Sequence, residues 1–161
     1  MLIHGWQVLA HARFLDQYEQ IYKEVERLYD KYPDTYQQKA VVKRFEAIVK
    51  LAFNIIPQDP TRASYRQGST LGKENKHWLR AKFYQQYRLF FRYHAGYKTI
   101  VLGWVNDPKT KRAYDSKTDA YRVFQKMLES GSPPSDWKSL VRSAQSESAR
   151  LGRLVDNSFE N

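Results

Sequence analysis

The seven residues Thr99 to Val105, TIVLGWV, are apolar at nearly every position. A strand with one wet face alternates apolar and polar side chains, so an unbroken apolar run marks a strand covered on both faces or at the centre of its sheet. Whatever this chain folds into must provide neighbours in the sheet plane and cover for the segment. At 161 residues, with 42% hydrophobic and 15% aromatic side chains, it has enough apolar material for one packed core. Residues 1–155 therefore read as a single domain and 156–161 as a frayed C-terminal tail.

The remaining elements follow from periodicity. Gly5 to His11 reads as a first, central strand. From Ala12 the apolar residues Phe14, Tyr18, Ile21, Tyr22, Val25, Leu28, Tyr29 and Tyr32 recur at spacings of three and four, the signature of an amphipathic helix that Pro33 ends. Asp34 with Gln37 forms a capping-box pattern for a second helix, carrying Val41, Phe45, Ile48 and Ala52 and closed by Pro57 and Pro60. Ser64 to Gln67, His77 to Phe83, Tyr87 to Tyr93 and Thr99 to Val105 read as an antiparallel meander. Thr118 or Asp119 caps a further helix through Leu128, which Gly131 stops, and a last helix runs from about Ser135 into the Leu151 region. The expected fold is α+β: two N-terminal helices packed on a small antiparallel sheet, with additional C-terminal helices.

Charge is concentrated rather than spread. Residues 61–126 hold 15 Lys or Arg against 4 Asp or Glu, a net of +11 in a chain of net +10, so the other 95 residues together carry −1. A localised cationic segment points to a polyanionic partner, bound through phosphate neutralisation and counterion release. The absence of cysteine excludes disulfides and thiolate zinc sites, and none of the four histidines has the spacing of a metal pair. Neither metal nor cofactor is expected. Met1 to Trp6 lacks a charged leader pattern, and no stretch reaches the roughly 18 apolar residues of a membrane span, so the chain reads as a cytoplasmic protein with no membrane partner.

Strand parity assigns the cations to one face. In His77 to Phe83, Leu79, Ala81 and Phe83 face one way and Trp78, Arg80 and Lys82 the other; in Tyr87 to Tyr93, Arg88, Phe90 and Arg92 share the second face. With Tyr84, Gln85 and Gln86 as the turn, Lys82 lies opposite Arg88, Arg80 opposite Phe90, and Trp78 opposite Arg92. Like charges directly opposed destabilise a strand pair unless an anion lies over them, and a phosphate is such an anion. Trp78 and Phe90, interleaved with the cations, are expected to stack RNA bases, with Lys82, Arg92, Lys111 and Asp119 completing the binding surface.

RNA cleavage without metal needs a proton acceptor for the 2′-hydroxyl, cations to stabilise the phosphorane, and a donor for the leaving 5′-oxygen. Arginine suits the second task, since its guanidinium stays charged and binds phosphate as a fork, but its high pKa makes it a poor acid. Arg80 and Arg88 are the candidate phosphate clamp. Acid and base must come from elsewhere, and Tyr114, Lys117, Tyr121, Asp119, His77 and His94 are the candidates.

The stretches KHWLRAKF, YRLFFRY, TIVLGWVND and RAYDSKTDAYRVFQKML, with GW near the start and PPSDW near the end, resemble the YhaV family of toxins within the RelE-like superfamily. The resemblance implies a RelE-like fold and an mRNA endonuclease acting with or near translating ribosomes, an mRNA interferase that inhibits translation and growth. It implies as partners a PrlF-like antitoxin with an AbrB-type swapped-hairpin DNA-binding domain, and operator DNA bound by the toxin–antitoxin complex. By position it assigns functional roles to Arg80 and Arg88, and places Arg112 and Tyr114 where the superfamily often has a basic residue and a tyrosine. Two other readings of the same cationic face stand beside it: a non-catalytic RNA- or DNA-binding regulator, and a dock for an acidic antitoxin tail.

Overall fold

The computed structural model describes the backbone of residues 1–159 and side chains through Ser158; Glu160 and Asn161, the end of the expected tail, lie outside the described residues. A short β1 (Leu2–Ile3) turns back into β2 (Trp6–Ala10), and α1 (Ala12–Lys31) follows immediately. His11 Nδ1 accepts the backbone N–H of Arg13, which caps this helix. Next comes α2 (Ala40–Lys50), continued by a π-helical stretch Leu51–Ile55 and a last turn, α3 (Ile56–Gln58). After a long connection come β3 (Leu79–Phe83), β4 (Tyr87–His94) and β5 (Thr99–Val105), and then α4 (Ala120–Glu129), α5 (Trp137–Gln145) and α6 (Ser148–Phe159).

The five strands lie in the order β1-β2-β5-β4-β3. All seven residues of the central β5 are buried, as its composition demands, because helices cover both faces. On one face α1, α2 and α6 enclose Val8, Phe14, Tyr18, Leu89, Phe91, Ile100 and Leu102. On the other, α4 and α5 enclose Leu9, Trp78, Phe90, Val101, Trp104 and Phe124.

Several expectations are corrected. The helix pair does not begin the chain, since the β1–β2 hairpin precedes it, and the sheet is mixed rather than antiparallel: β2 runs parallel to β5 through the crossover that contains α1 and α2. The first strand is second in the sheet, and β5 takes the centre. Ser64 to Gln67 is no strand; Ala63–Tyr65 forms a 3-10 turn, and a single bridge from Arg66 to Leu79 touches the sheet. Residues 36–38 form another 3-10 turn, and α2 starts only at Ala40, because the apolar stripe that faces the core begins at Val42. The final helical stretch is two helices, the second of which buries Leu151, Leu154 and Val155.

The strand register matches the parity argument. Lys82 pairs with Arg88, Arg80 with Phe90, and Phe83 with Tyr87 at the turn, where Tyr84 and Gln85 adopt left-handed φ of 44° and 63°. A stack of three aromatics then clamps α4 onto the sheet. Phe90 lies 4.4 Å from Phe124 at 15°, and Trp104 lies 5.8 Å from Phe124 at 4°. Such pairs add about 0.5–1.5 kcal/mol each beyond area burial. Trp78 packs roughly perpendicular to Phe124 and lies against Gly103, where a Cβ would collide with the indole atoms Cζ3 and Cη2.

Candidate functional site: an arginine cluster on Tyr121

Three segments far apart in sequence meet at the turn end of the β3–β4 hairpin. The first turn of α4 brings Tyr121, whose ring edge rests on Phe90. Its hydroxyl oxygen accepts Nε–H from both Arg80 and Arg88, each at 3.1 Å. Two donors fill the acceptor capacity of a phenol oxygen and leave its own hydrogen free to be donated outward. The third segment, the loop after β5, lays the guanidinium of Arg112 over the Tyr121 ring at 4.7 Å and against the Tyr114 ring at 3.9 Å.

Backbone carbonyls set the remaining orientation. Arg80 Nη1 donates to Ser64 O at 2.7 Å, and Arg88 Nη1 donates to Gln85 O and Tyr87 O at 2.7 and 2.9 Å. The guanidinium of Arg88, buried with its residue at 7% exposure, is thus drawn back over the turn while Lys82 opposite it stays exposed. Among the described residues Arg112 alone of these cations has a carboxylate partner, Asp119 Oδ1 at 2.7 Å. Burial depresses the Arg112 pKa, but the hydrogen bond and charge of Asp119 outweigh it and hold the group above its ordinary value.

Two buried side chains hold the loop that carries Arg112. Asn106 Oδ1 accepts the N–H of Arg88 at 2.7 Å, and its Nδ2 donates to Gln86 O and Thr110 O. At the other end Asp119 caps α4: Oδ2 accepts from Tyr121 N, while Oδ1 also accepts from Ala113 N at 2.7 Å. A direct bond from Arg112 N to Gln86 O closes the loop onto the turn. Asn106 and the carbonyls of Gln85 and Gln86 had no assigned role from sequence. The only signal was the Asn-Asp pair after β5, which by itself reads as the end of a strand.

The expected site residues thus separate. Arg80, Arg88, Arg112, Tyr114 and Tyr121 come together, with Lys82 beside them. Lys111 and Lys117 are exposed on the loop without an ion-pair partner among the described residues. Asp119 is 2% exposed and engaged by Arg112 and the backbone N–H groups of Ala113 and Tyr121, so it orders the loop rather than facing solvent. Trp78 and Phe90 are each 0% exposed beneath α4 and α5, which rules them out as stacking platforms; the face that parity grouped with the cations is apolar wherever a helix covers it. Arg92 points to the far end, donating to Ser135 O at 2.7 Å, and burial pushes its pKa down to about 10.

The histidines lie elsewhere. His77 and His94 sit at the end of the hairpin away from the turn, roughly 10 Å along β3 from Arg80 and roughly 20 Å along β4 from Arg88 at about 3.3 Å rise per residue. Among the described residues no group of three or more His, Asp or Glu is arranged to hold a metal ion, and no helix is long and apolar enough to cross a membrane.

Such an arrangement defines a class: an α+β protein with three guanidiniums gathered on one phenol, a cationic group of the kind that can hold a tetrahedral oxyanion. Residues 8–145 match the family of YhaV toxins, described as a toxin with endonuclease activity, of toxin-antitoxin system. The ribonuclease toxin YhaV of Escherichia coli (strain K12) is 44% identical over 145 residues, covering 89% of this chain and 94% of that protein. The toxin YhaV of Escherichia coli O157:H7 matches to the same extent. Among solved structures, the RelBE toxin–antitoxin complex of Mycobacterium tuberculosis aligns with 66% of this chain and 92% of its own at 19% identity and a TM-score of 0.39. The chain belongs to the YhaV family of toxins, endonucleases of toxin–antitoxin systems.

Proposed function

We propose that this toxin cuts mRNA by metal-independent transesterification at the Arg80–Arg88–Arg112–Tyr121 cluster. The observation that carries the reading is the convergence of two arginine Nε atoms on the Tyr121 oxygen with a third guanidinium over its ring. Three cations held together against one carboxylate leave an excess of positive charge that a phosphodiester neutralises. The N-terminus of α4 adds partial positive charge at the same point.

In this reading the 2′-oxygen attacks phosphorus, the P–O5′ bond breaks, and a 2′,3′-cyclic phosphate and a 5′-hydroxyl result. Arg80 and Arg88 bind the non-bridging oxygens and Arg112 and Lys82 add to the neutralisation as the phosphorane forms. Tyr121 directs its hydroxyl hydrogen to the leaving 5′-oxygen. The 2′-hydroxyl proton is accepted by the neutral amine of Lys117 or the phenolate of Tyr114, and Lys111 is among the exposed loop cations that guide the strand. The motif resemblance supports the remaining assignments: one domain over residues 1–155, action in the cytoplasm at translating ribosomes, neutralisation by a PrlF-like antitoxin, and binding of operator DNA by the pair.

The test compares cuts in cellular mRNA after expression of the wild type and Arg80→Ala. Removal of one charge-stabilising donor of this kind costs about 10²–10³ in rate, so the variant is expected to leave mRNA essentially intact and growth unarrested. Equal cleavage by both proteins sinks the assignment. Intact RNA recovered with salt-sensitive binding by the wild type would make the protein a binding regulator instead.

A further inference from the structure

The arginine cluster uses only part of the cationic segment. Residues 61–76 form a strap along the free edge of β3, tied there by the Arg66–Leu79 bridge and by Gln67 Nε2, which donates to Asn75 O at 2.9 Å and Trp78 O at 3.2 Å. The strap starts beside the site, where Ser64 O receives Arg80, and ends at His77, where β3 begins. Arg62, Arg66, Lys73 and Lys76 are all exposed on it, against one acidic residue, Glu74, and none of the four has a carboxylate partner among the described residues.

At the far end of the hairpin a file of rings begins in the core and runs out to solvent. Arg92 lies over Trp78 at 5.7 Å and over Trp137 at 5.3 Å; the Trp137 ring is 5.7 Å from His94, and His94 is 4.7 Å from Tyr97. Tyr97 ends the file at 74% exposure, its position fixed by the bond from its N–H to His94 Nδ1. An exposed ring on the β4–β5 turn, at the end of the hairpin where the strap finishes, offers a face on which a base can stack, and stacking tolerates any sequence.

We propose that single-stranded RNA runs from the arginine cluster along the strap, with Arg62, Arg66, Lys73 and Lys76 on its phosphates, and that a base stacks on Tyr97. This rests on the cleavage reading above and adds a second contact about 20 Å from the cut. It also gives a use to the part of the positive charge that the catalytic cluster leaves unexplained.

The experiment measures binding of 2′-O-methylated RNA, which cannot be cut, as a trinucleotide and as a dodecamer. Wild-type protein should bind the dodecamer much more tightly. Tyr97→Ala should weaken the dodecamer about tenfold, and a variant with all four strap cations changed to Gln should lower its logarithmic salt slope by roughly 3. Both should bind the trinucleotide as the wild type does, which also reports an intact fold. Dodecamer affinity unchanged by Tyr97→Ala overturns the stacking contact, and an unchanged salt slope in the strap variant overturns the track. Equal affinity of the wild type for both RNAs overturns this proposal and leaves the cleavage reading standing, whereas failure of the wild type to bind either RNA overturns both.

Discussion

The covered middle and the open turn end of the same β3–β4 face start from one sequence pattern and reach opposite chemistry. At the middle, Phe90 is roofed by Phe124 and Trp104 and takes no part in binding. Two residues away on the same face, Arg88 escapes the roof because α4 begins at Ala120, so that only its first turn, with Tyr121, reaches the guanidinium. Alternation sorts side chains between faces, but where a covering helix starts decides whether a face is core or site. The core and the candidate site are therefore adjacent here, and Phe90 of the aromatic stack also packs against the phenol on which two arginines converge.

The largest effect expected to break this comparison is Phe90→Ala. Loss of a fully buried aromatic should cost about 3–5 kcal/mol in denaturant unfolding, and it should also reduce RNA cleavage at temperatures where the protein stays folded, because Tyr121 loses its support. Stability lost with cleavage unchanged would separate the two regions. Gly103→Ala should come next, at about 1–3 kcal/mol, since its methyl collides with the Trp78 ring. Its melting curve should shift while the arginine cluster, on the other side of the stack, retains activity in the folded protein.

Lys82→Gln should act in the opposite direction. Removing a like charge opposite Arg88 should stabilise the free protein by about 0.2–1 kcal/mol and weaken RNA binding. A variant less stable than the wild type would show that the pair is not repulsive. The smallest effect concerns pH. Burial, reinforced by Arg13 in His11 and by Arg92 in His77, lowers both pKa values in the fold below the ordinary 6.5. The unfolded chain then binds more protons just below pH 6.5, so this contribution is complete above that pH and is lost as pH falls through 6.5 towards the folded values. The melting temperature should decline over that window, and His11→Asn, which keeps a side-chain cap, should flatten the decline.

Local pattern was legible where it depends on neighbours in the chain. The two-sided burial of β5, the stripe of α1, the three-residue turn and the Lys82–Arg88 register all follow from periods of 2 and 3.6 and from turn length. The Ser64 to Gln67 segment misled because Tyr65 supplies one apolar anchor without a second partner strand. The parallel β2–β5 pairing was invisible because a crossover leaves no mark on the composition of either strand. Of the candidate site, Arg80, Arg88, Arg112 and Tyr121 are legible in the sequence, but Trp78 and Phe90 read there as stacking residues, since an aromatic between cations looks the same whether water or a helix lies above it.

The sequence by itself determined that one hairpin would carry opposed cations on one face of a sheet buried elsewhere, because side-chain alternation and charge are properties of consecutive residues. Only the tertiary structure decided that two of those cations share Tyr121 with Arg112 from the loop after β5, that Asp119 and Asn106 hold the loop in place, and that Tyr97 rather than Trp78 meets solvent. The two bonds to the Tyr121 oxygen join residues 41 and 33 positions apart and depend on where α4 begins its cover, and such contacts are set by packing free energy summed over the whole fold.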